Sequence, residues 1–394
     1  MTGVVIASAA RTAIGSYGKS LKDVPATELG VTATKAALER SGLQPEQIEH
    51  VVFGSVIHTN TNDMYMGRVV SVNSGIPIET PAFTVNRLCG SGVQSIITAT
   101  MHIQTGDVET AIAGGAESMS QAPYWIPSAR WGARMGPGKM VDPVVGSLND
   151  PFKTIHMGVT AENLAERDTI SREDQDAFAL RSHQRAAAAR EAGKFADDIA
   201  PVVIKTRKGE VVFDQDEHIR PDISLEALAK LKPAFKPDGT VTAGNASGLN
   251  DAGAAIVLLS ADKAKELGTP VRAKVVGYAI TGVDPNIMGI GPVTAINKLL
   301  GRTGVKLEDI GVIELNEAFA AQALAVTREL GLDDEDPRVN PNGGAIAIGH
   351  PIGASGTAIT VKAIGEMERT GERYGLVSLC IGGGQGIALL LEKP

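Results

Sequence analysis

The sequence predicts an α/β protein made of two repeated halves, with a large loop region inserted into the first. Three observations predict it. Landmark glycines recur at a nearly constant offset: Gly42 and Gly304 (304 − 42 = 262), Gly92 and Gly356 (356 − 92 = 264), Gly106 and Gly371 (371 − 106 = 265). Short, nearly continuous apolar runs alternate with helical patterns, as in parallel or mixed sheets covered by helices on both faces. The last apolar run, 386–391, finds its best first-half partner in 254–259, at an offset of 387 − 256 = 131. Roughly 130 residues have therefore been inserted before the first half's last strand.

Taken in order, residues 1–11 lack a basic n-region and read as a strand and turn, not a signal peptide. A helical pattern ends at Ser41-Gly42, and Val51-Val52-Phe53 follows as a buried strand. Ser91-Gly92 opens a helical run to Gly106, and 110–113 is the next strand. The insertion, 119–249, is rich in Pro, Gly, Trp and charge. It carries one long helix from Ser171, as N-cap, to Gly193, as C-cap. The second half repeats the scheme with strands at 312–315 and 376–380 and a helical run from Ser355-Gly356 to Gly371. The expected units are 1–118 with 250–270, the inserted 119–249, and 271–394. An insertion of this size beside a catalytic core carries substrate recognition and oligomer contacts.

Bulk properties exclude several function classes. At 394 residues the chain exceeds one simple core. A net charge of −8 argues against general nucleic-acid binding. No apolar run approaches the ~20 residues of a spanning helix. Two cysteines without CxxC spacing suit a reducing cytoplasm and neither a zinc site nor a dithiol redox centre. No GxGxxG follows the first strand, which disfavours a dinucleotide-binding dehydrogenase.

Those two cysteines carry the chemistry. Each lies in a glycine-rich turn after an apolar run: Val85-Asn86-Arg87-Leu88-Cys89-Gly90-Ser91-Gly92 and Leu379-Cys380-Ile381-Gly382-Gly383-Gly384. Cys89 precedes a helix, whose positive end is expected to lower its pKa toward neutrality. A lone cysteine is more often a packed structural residue, but the flanking glycines permit close approach by a substrate. His350, in Gly349-His350-Pro351-Ile352-Gly353, is the repeat counterpart of the Cys89 turn. A pseudo-twofold would bring the two together, letting the imidazole take the thiol proton. Its bland reading is a satisfied loop histidine. Asn316 ends a strand, where it can orient a water or a histidine, or merely cap a helix starting at Glu317. Cys380 reads as a packed strand thiol or as a second acid/base, with glycine N–H groups nearby as oxyanion donors. The small residues of Ala243-Gly244-Asn245-Ala246-Ser247-Gly248, with His156-Met157-Gly158, read as a loop or as the lining of a narrow apolar tunnel. The basic segments 205–208 and 217–220 face either an anionic ligand or solvent.

Together, 85–92, Asn316-Glu317-Ala318-Phe319, 349–353 and 380–384 resemble the four signature blocks of the thiolase family, over essentially the whole chain. The resemblance implies a layered αβαβα fold and places the chain with the short-chain biosynthetic branch, the acetyl-CoA acetyltransferases or β-ketothiolases. The stretches 63–68 and 130–135 look like those of polyester-precursor β-ketothiolases. By resemblance, Cys89 is the acylated nucleophile, His350 activates it, and Asn316 holds a water of the first oxyanion hole. Cys380 moves the α-proton, and the N–H groups of Cys89 and Gly382 hold the acyl-enzyme oxygen. Leu148, His156, Met157, Phe235, Ala243, Ser247, Met288 and Phe319 are implied to line the pantetheine and acyl tunnel, with Arg220 near the nucleotide end of coenzyme A. Pro221 departs from the polar residue many relatives carry there. The implied partners are acetyl-CoA and short 3-ketoacyl-CoA thioesters, as substrates and not cofactors, with no metal. A homotetramer joined by a loop near 120–145 is expected. A decarboxylating condensing enzyme of the same fold would not need the second thiol, and a non-catalytic coenzyme A- or lipid-binding module would be expected to lose Cys89 or His350.

Overall fold

In the computed structural model, which describes residues 2–394, the two halves are assembled from corresponding elements. The first half runs β1 (Val4–Thr12), α1 (Ala26–Ser41), β2 (His50–Gly54), β3 (Ala82–Val85), α2 (Ser91–Thr105) and β4 (Thr110–Ser118). The insertion follows, with α3 (Met157–Arg167), α4 (Arg172–Glu191) and an exposed hairpin, Val202–Thr206 with Gly209–Phe213; the half closes with β5 (Asn250–Ser260). The second half runs β6 (Ala273–Gly282), α5 (Gly291–Thr303), β7 (Ile310–Leu315), α6 (Ala320–Glu329), α7 (Ile352–Thr370), β8 (Tyr374–Ile381) and β9 (Gln385–Glu392).

The landmark glycines have identifiable jobs. Gly42, Gly106, Gly304 and Gly371 are left-handed C-caps, with φ of 74°, 80°, 72° and 77°. A Cβ would strain that conformation. Gly92 and Gly356 serve a different purpose. A Cβ on Gly92 would lie 2.4 Å from the Thr357 nitrogen, and one on Gly356 the same distance from the Val93 nitrogen. Helices α2 and α7 therefore cross backbone to backbone at this pair, and no side chain fits between them.

The strands form one mixed sheet in the order β7-β8-β9-β6-β1-β5-β4-β2-β3. Only three residue pairs, Val4↔Val275 to Ile6↔Ala273, join the halves at β1/β6. Each half-sheet presents alternate residues to opposite faces. Val52, Ala113, Ile256 and Leu258 from one half, and Val377, Leu379 and Leu389 from the other, pack on Val93, Ile96, Val361 and Ile364 of the central helices. The intervening Val51, Phe53, Val257 and Leu259 face α1. On the far side, Leu376, Cys380 and Leu390 face α5, α6 and the insertion's α3. Five layers result: helices, sheet, central helices, sheet, helices.

Two local expectations change, and one open alternative is decided. Helix α7 begins at Ile352, three residues before Ser355, because Pro351 suits a helix entry and the 349–351 backbone is non-helical. Helix α4 is capped by Ser171 as expected, in a reciprocal capping box with Asp174, but its C-cap is Ala192 and Gly193 follows it. The basic run 205–208 is the exposed tip of the hairpin, a solvated face.

Candidate active site

The central crossing brings the starts of α2 and α7 together, and with them the turns that precede each helix. The Cys89 turn is locked locally. Leu88 adopts φ +47°, rare for a branched residue. Its N–H donates to Asn86 Oδ1 (2.9 Å), and its carbonyl accepts from both the N–H (2.9 Å) and the hydroxyl (2.7 Å) of Ser91. Arg87 then reaches across the halves, donating from Nη1 to Gln385 Oε1 at 2.7 Å. Cys89 keeps partial exposure and packs near Met119, Leu148, Leu249 and Ile352.

The third turn is the hairpin joining β8 to β9. Gly383 and Gly384 have φ of 81° and 80°, the conformation that tight hairpins demand of glycine. This hairpin places Cys380 next to Cys89: each sulfur lies in the field or reach of the other's turn. The N–H groups of Gly382 and of Cys89 itself donate toward the Cys89 sulfur, and Cys89 raises the pKa of Cys380.

The expected acidification of Cys89 does not occur. Burial of the thiol among apolar side chains pushes its pKa up to about 11, outweighing the two N–H donors that lower it. Cys380, wholly buried, is pushed up further, first by burial and then by Cys89. Burial likewise holds the His350 imidazole down at about 4. The resting site is therefore two thiols and a neutral imidazole, not a thiolate–imidazolium pair.

His350 is held from several sides. Gly349 has φ +118°, and a Cβ there would strike the Asn250 side chain at 2.5 Å. The His350 N–H donates to Asn250 Oδ1 at 2.8 Å, and Asn250 Nδ2 donates to the Gly15 carbonyl at 3.0 Å. The His350 Nδ1 and Ser355 Oγ are 2.6 Å apart, while Ser355 Oγ donates to the Pro351 carbonyl at 2.8 Å. Ser355 has one hydrogen, and it is committed to Pro351. With the Ser355 hydroxyl assigned as donor to Pro351, Nδ1 carries the imidazole proton and Nε2 is left as a bare acceptor. That nitrogen is buried and has no partner among the described residues.

Asn316 is buried, and both Oδ1 and Nδ2 are without partners. It does not cap a helix: α6 starts at Ala320 with Phe319 as its cap residue. Its neighbour Glu317 does structural work, accepting from Ser182 Oγ (2.6 Å), Asn340 Nδ2 (2.8 Å) and the Ile346 N–H (3.2 Å). A buried carboxamide and a buried imidazole nitrogen, both unpaired among apolar neighbours, mark places where an oxygen of water or substrate completes the hydrogen bonding.

The insertion supplies the walls. His156 caps α3, its Nδ1 accepting from the Gly158 N–H at 3.0 Å. Its ring stacks on Phe235 (4.6 Å between centroids), which meets Phe319 edge-on at 6.1 Å. A Cβ on Gly158 would overlap Phe235 at 2.2 Å, so that glycine is what admits the ring. Met157, Met288, Phe319 and Cys380 share one apolar cluster, with Leu148 and Phe235 packed against it. Leu148 also touches the Cys89 cluster and so links the two thiols' surroundings. The Ser247 N–H donates to the Ala318 carbonyl at 3.0 Å, which strings the end of the insertion along the 316–319 segment. Ala243 lies exposed beside this strip. Arg220 stands apart, exposed, at an open cavity of about 330 Å³ lined also by Ser16, Tyr17, Lys19, His218 and Leu249.

Ser355, Asn250 and Glu117 were not singled out as site residues by sequence reasoning. Ser355 stood out only as a repeat landmark. Glu117 carries one visible signal, a lone acid at the end of an otherwise small and apolar strand, Thr110–Ser118.

Comparison with known proteins identifies the family. Residues 4–262 match the family model "Thiolase, N-terminal domain" and residues 269–393 match "Thiolase, C-terminal domain". The chain is 56% identical over 391 residues to the "Beta-ketothiolase BktB" of Cupriavidus necator, covering 99% of each. Its fold superposes with a TM-score of 0.98 on the Bacillus anthracis acetyl-CoA acetyltransferase (48% identity; 100% of this chain, 99% of that one). It superposes with a TM-score of 0.97 on human mitochondrial 3-ketoacyl-CoA thiolase (47% identity; 100% and 99%). The chain belongs to the thiolase family.

Proposed function

We propose that this thiolase is an acetyl-CoA C-acetyltransferase, condensing two acetyl-CoA to acetoacetyl-CoA and coenzyme A, and running in reverse on short 3-ketoacyl-CoA. The observation that carries the reading is the meeting of two thiols, one partly exposed and one buried, with a bare imidazole nitrogen and an unpaired carboxamide. Similarity to a β-ketothiolase and an acetyl-CoA acetyltransferase supports the substrate class.

Cys89 Sγ attacks the thioester carbonyl of the first acetyl-CoA while His350 Nε2 takes its proton. The new N–H then donates to the oxyanion together with a water held by Asn316. Coenzyme A leaves as its sulfur takes the Cys380 proton. The S-acetyl-cysteine has its oxygen against the N–H groups of Cys89 and Gly382. Cys380, now a thiolate, removes an α-proton from the second acetyl-CoA. Its raised pKa suits it to this step, because a thiolate destabilised by burial is the stronger base. The carbanion attacks the acetyl group, the Cys89 sulfur departs, and His350 returns its proton. Every group ends as it began, as a reversible two-step exchange requires. No metal and no separate cofactor enters the scheme.

Leu148, His156, Met157, Phe235, Ala243, Ser247, Met288 and Phe319 would hold the pantetheine and acyl chain, and Arg220 the nucleotide end. A cytoplasmic homotetramer is the assembly we favour. One feature supports the assembly: Trp125, Trp131 and Met135 stand exposed on one loop, as a subunit contact would require.

Coenzyme A-dependent cleavage of acetoacetyl-CoA, 3-ketovaleryl-CoA and 3-ketohexanoyl-CoA tests the reading. Cleavage of the first is expected, with a loss of about 10²-fold in Asn316→Ala. Failure of well-folded protein to cleave any of the three would overturn it.

A further inference from the structure

Glu117 is wholly buried at the end of β4, and among the described residues no cation pairs with it. A bare carboxylate in such a place is costly unless hydrogen bonds replace its water. Three backbone N–H groups do so in part; burial still pushes the Glu117 carboxyl up to about 7, so it carries its full charge only above that pH. Oε2 accepts from Val56 (3.1 Å) and from Gly353 (2.8 Å), and Oε1 from Ile57 (3.0 Å). Val56 and Ile57 follow β2 in the first half. Gly353 lies in the first turn of the 19-residue α7, in the second half, three residues after His350. The carboxylate thus stitches the histidine turn to the opposite half and sits at the positive end of α7.

The surroundings are shaped for this bond. A Cβ on Gly115 would meet the Gly353 carbonyl at 2.1 Å, and one on Gly54 the same oxygen at 3.0 Å. A Cβ on Gly353 would meet Glu117 Oε2 at 2.7 Å. Three glycines from three segments let the histidine turn press onto the sheet where the carboxylate waits. The same carboxylate also lies close enough to Cys89 to disfavour its thiolate.

We propose that Glu117 is a positioning residue for acyl transfer, which fixes the 350–353 turn against the first half so that His350 Nε2 meets the Cys89 thiol. The inference rests on the reading above, in which His350 takes that proton.

Two effects of removing the charge have opposite signs, and this makes the test decisive. Loss of a negative charge near Cys89 alone would make the thiol more acidic and more reactive. Loss of alignment would make it less reactive. The experiment measures Cys89 alkylation by iodoacetamide from pH 6 to 9, read by peptide mass spectrometry. It compares wild type, Glu117→Gln, Glu117→Asp and His350→Asn, with thiolysis of acetoacetyl-CoA alongside. Glu117→Gln cannot accept all three N–H groups. Its alkylation is expected to slow at least ~10-fold toward the His350→Asn rate, and its kcat to fall ~10–100-fold with KM within about twofold. Glu117→Asp keeps the charge with shorter reach and is expected to fall between; it decides the matter if the Gln variant does not fold. Wild-type or faster alkylation in folded Glu117 variants, or no effect of His350→Asn itself, would overturn the inference. If wild type cleaves no ketoacyl-CoA, the acetyltransferase reading fails by itself, and the alkylation series still judges Glu117.

Discussion

The turns before α2 and α7 occupy corresponding places in the two halves, yet they are finished differently. The first presents Cys89, partly exposed, beside a strained Leu88 and within reach of two N–H donors. The second presents His350, buried, tethered to Asn250 and Ser355, with one nitrogen left bare. One scaffold therefore presents an accessible thiol from one copy and a dry imidazole from the other, the pair proposed above as nucleophile and base. Neither is ionised in the resting site, because burial opposes charge on both. The difference teaches that reactivity here comes from alignment and from oxyanion donors, more than from a pre-formed thiolate.

The two thiols offer the sharpest way to break this comparison. Cys89→Ala is expected to lower thiolysis, condensation and acetyl exchange between acetyl-CoA and labelled coenzyme A alike, by at least ~10⁴-fold. Cys380→Ala is expected to lower condensation comparably and exchange less, since acyl transfer through Cys89 needs no α-proton and asks of Cys380 only the proton for the leaving coenzyme A, which solvent can supply. Equal loss of exchange in both variants would show that the thiols do not divide the work as proposed.

A smaller effect tests the crossing that brings the turns together. Gly92→Ala or Gly356→Ala would drive a Cβ into the facing helix backbone, at 2.4 Å. Either is expected to cost about 3 kcal/mol or more in urea unfolding. The double variant should cost less than the sum, because one displacement relieves both clashes. Additive effects would argue that the two glycines act separately.

The smallest effect concerns the buried imidazole. His350 is held at about 4, whereas an unfolded histidine titrates near ~6.5. Between those values the unfolded chain takes up a proton that the native site refuses. Its contribution to stability is complete above about 6.5 and is lost as pH falls toward about 4. His350→Asn is therefore expected to reduce the loss of stability between pH 7 and pH 5 by about 2 kcal/mol. An unchanged acid limb would mean that His350 is not kept neutral by burial.

Much of the scaffold was legible because its signals are local. Cap glycines need a left-handed backbone, and glycines at a helix crossing need the absence of a side chain; both leave marks at fixed offsets in a duplicated chain. The thiols, the histidine and Asn316 were legible because each stands in a distinctive short block. Glu117, Asn250 and Ser355 were not singled out as site residues. Their partners are 236, 100 and 5 residues distant, and even the nearest pair is separated by the turn into α7 that the sequence placed three residues late.

From the sequence, then, come the duplication, the alternation of strands and helices, the insertion before β5 and the candidates for the reactive groups. The tertiary structure alone decided their protonation states and their alignment. Helix position argued for an acidic Cys89; burial against the apolar cluster of Ile57, Met119, Val144 and Ile352 reversed the sign. Composition and spacing carry chemical identity along the chain, but desolvation and hydrogen bonding depend on which distant segments close around a group.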